Sequence, residues 1–335
     1  MKVRLKLFLK RLGLVFAGLM AFLVVLEIVL QLAHLALRPT SSRNPKPATQ
    51  NLPTILCLGD SHTYGAGVDA ADSYPAQLGK KLAARGCSVN IVNLGAPGTN
   101  TSQIRRRLPQ WLRTHDPELV IVLACVNNCW NIMDADWSDV REGLDVRRGK
   151  RAAVWLQSRL RTARAAAILH QRLTMSRENG NERVLDRQGG HVMHKKNDLW
   201  DSDNQKRRLA IAGMHRAMRD LAAIVRQVRE AGAEPVLMTY AARTDDNFSD
   251  QNLGLRHLAA AMKVTLADND KALRPIFTND SGEIDEQAFE TLFKPDLHLA
   301  PGGYDKVSDN IIKVLEESGL LGRLKQGGSG TVNSE

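Results

Sequence analysis

A serine, a histidine, a carboxylate and an asparagine lie at the ends of apolar runs in this chain, and together such groups can attack a carbonyl and hold the resulting oxyanion. The serine is Ser61, in Leu58-Gly59-Asp60-Ser61-His62-Thr63-Tyr64-Gly65. A hydroxyl on the turn after a parallel strand points into the crevice at the sheet's carboxyl edge, where a nucleophile is useful. Taken alone, Gly-Asp-Ser is equally compatible with a plain turn. Asn93-Leu94-Gly95-Ala96-Pro97-Gly98 is a glycine turn able to bring a backbone N–H to the same edge. Cys125-Val126-Asn127-Asn128 presents an amide able to donate to a developing oxyanion. Asp296-Leu297-His298, just ahead of Pro301-Gly302-Gly303-Tyr304, brings an imidazole and a carboxylate together near the end of the chain. That pair is what general-base activation of a serine requires.

Such groups meet only if a frame aligns the strand ends. The apolar pattern predicts strands over 54–58, 88–94, 119–124, 235–240 and 264–267, and helices over 74–85, 102–115, 207–231, 250–262 and 302–318. Alternation of this kind implies an α/β fold, a parallel sheet with helices on both faces. The ligand site of such a sheet lies beyond the carboxyl ends of its strands, where Ser61, Gly95 and Asn127 fall.

The four blocks, in this order, resemble the SGNH hydrolase superfamily, the GDSL-like lipases and acylhydrolases. Gly59 to Val68, with Ser73-Tyr74-Pro75, is similar to membrane-anchored bacterial members. The resemblance takes in residues 54–318 apart from one insertion. It implies a three-layer α/β/α, flavodoxin-like fold around a five-stranded parallel sheet, and a reaction that needs no metal or organic cofactor. It also implies roles: Ser61 as nucleophile, His298 as general base and Asp296 orienting the imidazole. The backbone N–H groups of Ser61 and Gly95 and the side-chain amide of Asn127 would form an oxyanion hole, with Asp60 and Asn128 in support. Chain order Ser, Asp, His matches other α/β hydrolases, although the elbow G-x-S-x-G is absent.

Two blocks depart from the pattern. The third usually reads G-x-N-D, and here Cys125 and Asn128 stand in place of the glycine and the aspartate. The last usually reads D-x-x-H, and here Asp296 is two residues before His298. Either Asp296 or a backbone carbonyl is therefore expected to orient the ring. His62 is expected to pack or bind water rather than take part in catalysis. The loop pair His191 and His194 lacks a third ligand, and no C-x-x-C or nearby His pair suggests zinc. Cys57 is expected as a buried thiol, while Cys125 and Cys129 are compatible with either thiols or a disulfide.

The N-terminus reads differently from the rest. Lys2, Arg4, Lys6, Lys10 and Arg11 precede a run from Leu12 to Leu37 broken only by Glu27, Gln31 and His34. As a helix that run would span roughly 39 Å, enough to cross a bilayer core of about 30 Å. The basic flank places the N-terminus in the cytoplasm and the remainder on the far side, the periplasm in a Gram-negative cell. Glu27 is expected either to reach water at the outer interface or to mark a contact with a partner helix. The net charge of +10 falls to +5 once residues 1–38 are set aside, which removes the case for nucleic-acid binding.

The expected domains are a basic segment and anchor over 1–38, a tether over 39–52, a hydrolase domain over 53–320 and a disordered tail over 321–335. The hydrolase domain contains an insertion over about 130–206, rich in arginine and carrying Trp130, Trp137, Trp155 and Trp200. An insertion of this kind could form a lid or settle on an anionic surface. The expected function is a serine esterase that hydrolyses or transfers acyl groups, acetyl esters on envelope or extracellular polysaccharide first. Two alternatives stay open. One is a lipid esterase at the membrane surface, and the other an inactive scaffold whose transmembrane helix meets an envelope protein.

Overall fold

The structure is a computed structural model that describes residues 2–36, 52–129, 131, 134–135, 156, 160–163, 166, 203–241, 248–279 and 281–327. The tether, most of the insertion with its four tryptophans, His191, His194 and the last eight residues lie outside the described residues. The chain divides into two compact units, Met1–Thr40 with Leu144–Leu199, and Ser41–Gly143 with Trp200–Glu335.

In the first unit, helix α1 (Lys2–Ala36) contains Lys10–Ala33, 24 residues with mean hydropathy 2.6, long and apolar enough to cross a membrane. Glu27 accepts from the backbone N–H of Arg161 at 3.0 Å, from the N–H and hydroxyl of Thr162 at 2.8 Å each, and from Gln31 Nε2 at 2.7 Å. The carboxylate therefore caps a helical turn of its own chain, residues 161–163. A helix start leaves such N–H groups without intrahelical partners, and a carboxylate answers them.

The second unit is built on five parallel strands: β1 (Thr54–Gly59), β2 (Asn90–Asn93), β3 (Leu119–Leu123), β4 (Glu234–Met238) and β5 (Thr265–Ala267). Their order is β2-β1-β3-β4-β5. Strands β1 and β3 are buried along their whole length, as expected of central strands covered on both faces. Helix α2 (Ser61–Tyr64) is a single turn, and α3 (Tyr74–Ala84) packs against the C-terminal α9 (Pro301–Glu317). On the other side α4 (Thr101–His115) packs against α5 (Asp203–Glu230). Helices α6 (Ser249–Met262), α7 (Asn269–Phe277) and α8 (Glu286–Leu292) complete the layers. The chain leaves β1 in one direction to form β2 and lies on the other side for β3, so the topology reverses at β1, where open α/β sheets bind ligands.

The predicted strands and long helices appear within two residues of their expected bounds, except that α5 starts four residues earlier than expected, and the sheet of five parallel strands between helices is as expected. The tail differs. Residues Leu320–Gly327 form helix α10, held because Leu320, Leu321 and Leu324 are buried against the core. Helix α5 begins at Asp203, inside the range taken for the insertion.

Candidate active site

Strand β1 ends at Gly59, where a Cβ would come within 2.2 Å of Thr63 Oγ1 and 2.3 Å of Leu123 O. Asp60 then caps α2, its Oδ1 accepting the His62 N–H at 3.0 Å. Gly65 closes the turn at φ 78°, a left-handed conformation suited to glycine. Ser61 is left partly exposed at the first position of the turn, with its Oγ 2.8 Å from His298 Nε2.

His298 arrives on a tight loop whose ends, Phe293 and Leu299, pair as an antiparallel bridge. Within it Lys294 N–H donates to His298 O at 2.7 Å, and the Lys294 ammonium donates to Gly67 O. Leu297 sits at φ 65°, and this left-handed residue lets a spacing of two close the contact. Asp296 Oδ1 accepts the His298 N–H at 3.1 Å, while Oδ2 stands 3.0 Å from Nδ1. The Nδ1 contact is close but off the hydrogen-bond axis. Between an acid and a carbonyl, the structure places the acid at Nδ1. Contact with the His298 ring holds the Asp296 carboxyl down at about 2.

The flanking donors are partly engaged. Gly95 N–H donates to Asn93 Oδ1 at 3.0 Å, and Asn127 Nδ2 donates to Thr99 O at 3.0 Å. The Gly95 N–H, expected to face an oxyanion, is thus held by its neighbour's side chain, which folds back over two residues. Gly95 itself is obligatory, because a Cβ there would lie 2.4 Å from Tyr64 N. The backbone of the nucleophile turn and that of the glycine turn therefore run in direct contact.

His62 packs, as expected. Its ring stacks on His298 with centroids 4.9 Å apart and meets Tyr240 and Phe248 edge-on. Burial, then the charge on His298, pushes its pKa down to about 3, so it remains a neutral wall of the site. Among the cysteines, Cys125 and Cys129 are thiols rather than a disulfide, Cys129 donating to Val126 O at 3.0 Å. Cys57 is fully buried, which pushes its thiol up to about 12. Among the described residues no group of three His, Cys, Asp or Glu could hold a metal.

Tyr240 was not legible as a site residue. It follows β4, and the Asn252 side chain grips its backbone through both N–H and C=O at 2.8 Å. Its hydroxyl donates to Asp60 Oδ2 at 2.6 Å and accepts the Cys125 N–H at 2.9 Å, tying the nucleophile turn to the asparagine block. Burial raises the Asp60 pKa from 3.8 to about 6, and the Tyr240 hydroxyl opposes that rise. The folded state therefore holds a proton on Asp60 that the unfolded chain has lost between pH 3.8 and about 6. Across that window this carboxyl's contribution to stability falls as pH rises. Tyr240→Phe should strand the Asp60 carboxylate and cost about 1–3 kcal/mol. Thermal melts should show a larger loss at pH 8 than at pH 5, where Asp60 is neutral; an equal loss at both would show that the hydroxyl does not support the charge.

Residues 57–306 match the GDSL-like lipase/acylhydrolase family. An arylesterase of Vibrio mimicus is 35% identical over 75 residues, which cover 22% of this chain and 38% of that protein. The chain thus spans well under half the length of that curated relative. Among solved structures, TesA aligns with a TM-score of 0.45 and 16% identity, over 79% of this chain and 98% of TesA. A catalytic mutant of Axe2, an acetylxylan esterase from Geobacillus stearothermophilus, aligns with a TM-score of 0.46 and 12% identity, over 81% of this chain and 96% of that one. The family match takes in about three-quarters of the sequence and contains all of the blocks that meet around Ser61, so the chain belongs to the GDSL-like lipase/acylhydrolase family.

Proposed function

We propose that the protein is a serine esterase that cleaves or transfers acyl groups through an acyl-Ser61 intermediate. The observation that carries this is the line Ser61 Oγ, His298 Nε2, His298 Nδ1, Asp296 Oδ2, with contacts of 2.8 and 3.0 Å. Oγ bonds to the ester carbonyl carbon as its proton passes to Nε2, and the carbonyl π pair moves onto oxygen. The Ser61 and Gly95 N–H groups and Asn127 Nδ2 receive that oxyanion, Gly95 exchanging its bond to Asn93. Collapse expels the alcohol, protonated by His298; water or a sugar hydroxyl then repeats the sequence in reverse. Asp60 and Asn128 support the two turns that hold these groups.

Acetyl esters of an envelope or exported polysaccharide are the substrate class we favour, with α1 as an inner-membrane anchor and the catalytic unit on the far side. One observation favours a second reading, an ester of a membrane lipid. Glu27, inside the apolar span, is bonded by Arg161 and Thr162, which brings part of the insertion to membrane depth. Incubation with a fluorophosphonate should label Ser61, found by peptide mass spectrometry, and Ser61→Ala should lose both labelling and turnover of p-nitrophenyl acetate. A folded wild-type protein that takes no label would overturn the esterase reading. Release of acetate from acetylated glycan, against fatty acid from lysophospholipid, separates the two substrate classes.

A further inference from the structure

The block that carries Asn127 is clamped from behind by residues of α5. Asn128, buried, accepts the Thr101 N–H on Oδ1 at 3.1 Å and donates from Nδ2 to Thr101 Oγ1 at 2.7 Å. Since Thr101 Oγ1 accepts that proton, its own hydroxyl proton is sent onward, to Asp220 Oδ2 at 2.9 Å. The Ser102 hydroxyl donates to the same oxygen, and Arg105 Nε stands 3.1 Å from Asp220 Oδ1. The Asp220 side chain is 4% exposed. Its charge sits against the first turn of α4, where the helix dipole favours an anion. One turn earlier on α5, the buried Arg216 donates to Asn128 O. Gly213 allows this approach, since a Cβ there would lie 2.6 Å from Asn128 O.

The direction of the proton chain makes positions 128 and 220 complementary. An amide at 128 gives Thr101 a proton, so an acceptor must lie beyond Thr101. A carboxylate at 128 would instead claim the Thr101 hydroxyl proton and set a second buried negative charge near Asp220. We propose that Asp220 is a positioning residue for Asn127, and that it carries, from α5, the negative charge that the third block lacks at position 128. Arg216 holds the same block by its backbone. The proposal rests on Asn127 acting as an oxyanion donor.

The test compares Asp220→Asn, Asn128→Asp, Asn127→Ala, the double variant N128D/D220N and the double variant N127A/D220N in the full-length protein. D220N should lower kcat for p-nitrophenyl acetate by at least about tenfold with KM within about threefold, the pattern of a lost transition-state contact. In the Asn127→Ala background the same change should have little further effect on kcat, because its route is already removed. N128D/D220N should melt higher than either single variant and recover part of the lost kcat. An undiminished D220N, a full further loss in the Asn127→Ala background, or additive melting losses in N128D/D220N would each overturn the proposal. If the wild type shows no turnover, the esterase reading fails by itself, and the melting cycle of positions 128 and 220 still decides whether the charge is shared between them.

Discussion

Replacing His298 with alanine is expected to lower kcat on p-nitrophenyl acetate by about 10³–10⁴-fold while KM changes little. The ring does two jobs at one place. Nε2 lies 2.8 Å from Ser61 Oγ, and among the described residues no other imidazole is placed to take the proton. His62 lies against His298 but is buried, stacked and held neutral. Asp296→Asn should cost much less, about tenfold, because its carboxylate is 53% exposed and meets Nδ1 off-axis. Stopped assays with purified variants would decide the matter; His298→Ala retaining a tenth of the wild-type kcat would remove histidine from the mechanism.

The largest expected effect on stability is at Gly59. A methyl group there would meet Thr63 Oγ1 at 2.2 Å and Leu123 O at 2.3 Å. Neither neighbour can retreat: Thr63 is buried and bonded by the Tyr74 hydroxyl at 3.3 Å, and Leu123 ends a central strand paired with Gly59 itself. Gly59→Ala should therefore destabilise the fold by more than about 3 kcal/mol, in the range of severe overpacking. Gly322→Ala, with nothing within 4 Å, serves as the control and should be neutral or slightly stabilising. Urea unfolding of both would check this, and a loss under about 1 kcal/mol at Gly59 would show that β1 and β3 can part at their ends without cost.

The core strands were readable because each is a short apolar run bounded by turn residues, and the long helices because their apolar positions recur with helical period. Helix α2 was not, since four residues carry no period. Helices α7 and α8 are short, and Pro275 lies within α7. At the site, Ser61, Asp296 and His298 were readable from residue type and order. What could not be read was Leu297 at φ 65°, because a leucine gives no sign of a left-handed turn. Tyr240 and Asp220 act across 180 and 119 residues of separation, through bonds to Asp60 and Thr101 that only packing creates. The bond from the Gly95 N–H to Asn93 Oδ1 at 3.0 Å was not read from the sequence, because nothing in residue type says that an asparagine side chain folds back over two residues.

The bond between Glu27 and the residues around Thr162 has a consequence for biosynthesis. Its partners are 134 and 135 residues apart in the chain. At a synthesis rate of about 5–20 residues per second, roughly 7–27 s pass between the emergence of the carboxylate and that of the amides that satisfy it. Throughout that interval Glu27 has, of its four bonds, only the one from Gln31, so a nascent chain arrested before residue 160 is a different object from the finished one. It is a chain whose N-terminal helix still has a hydrogen-bond acceptor to offer to whatever helix lies beside it.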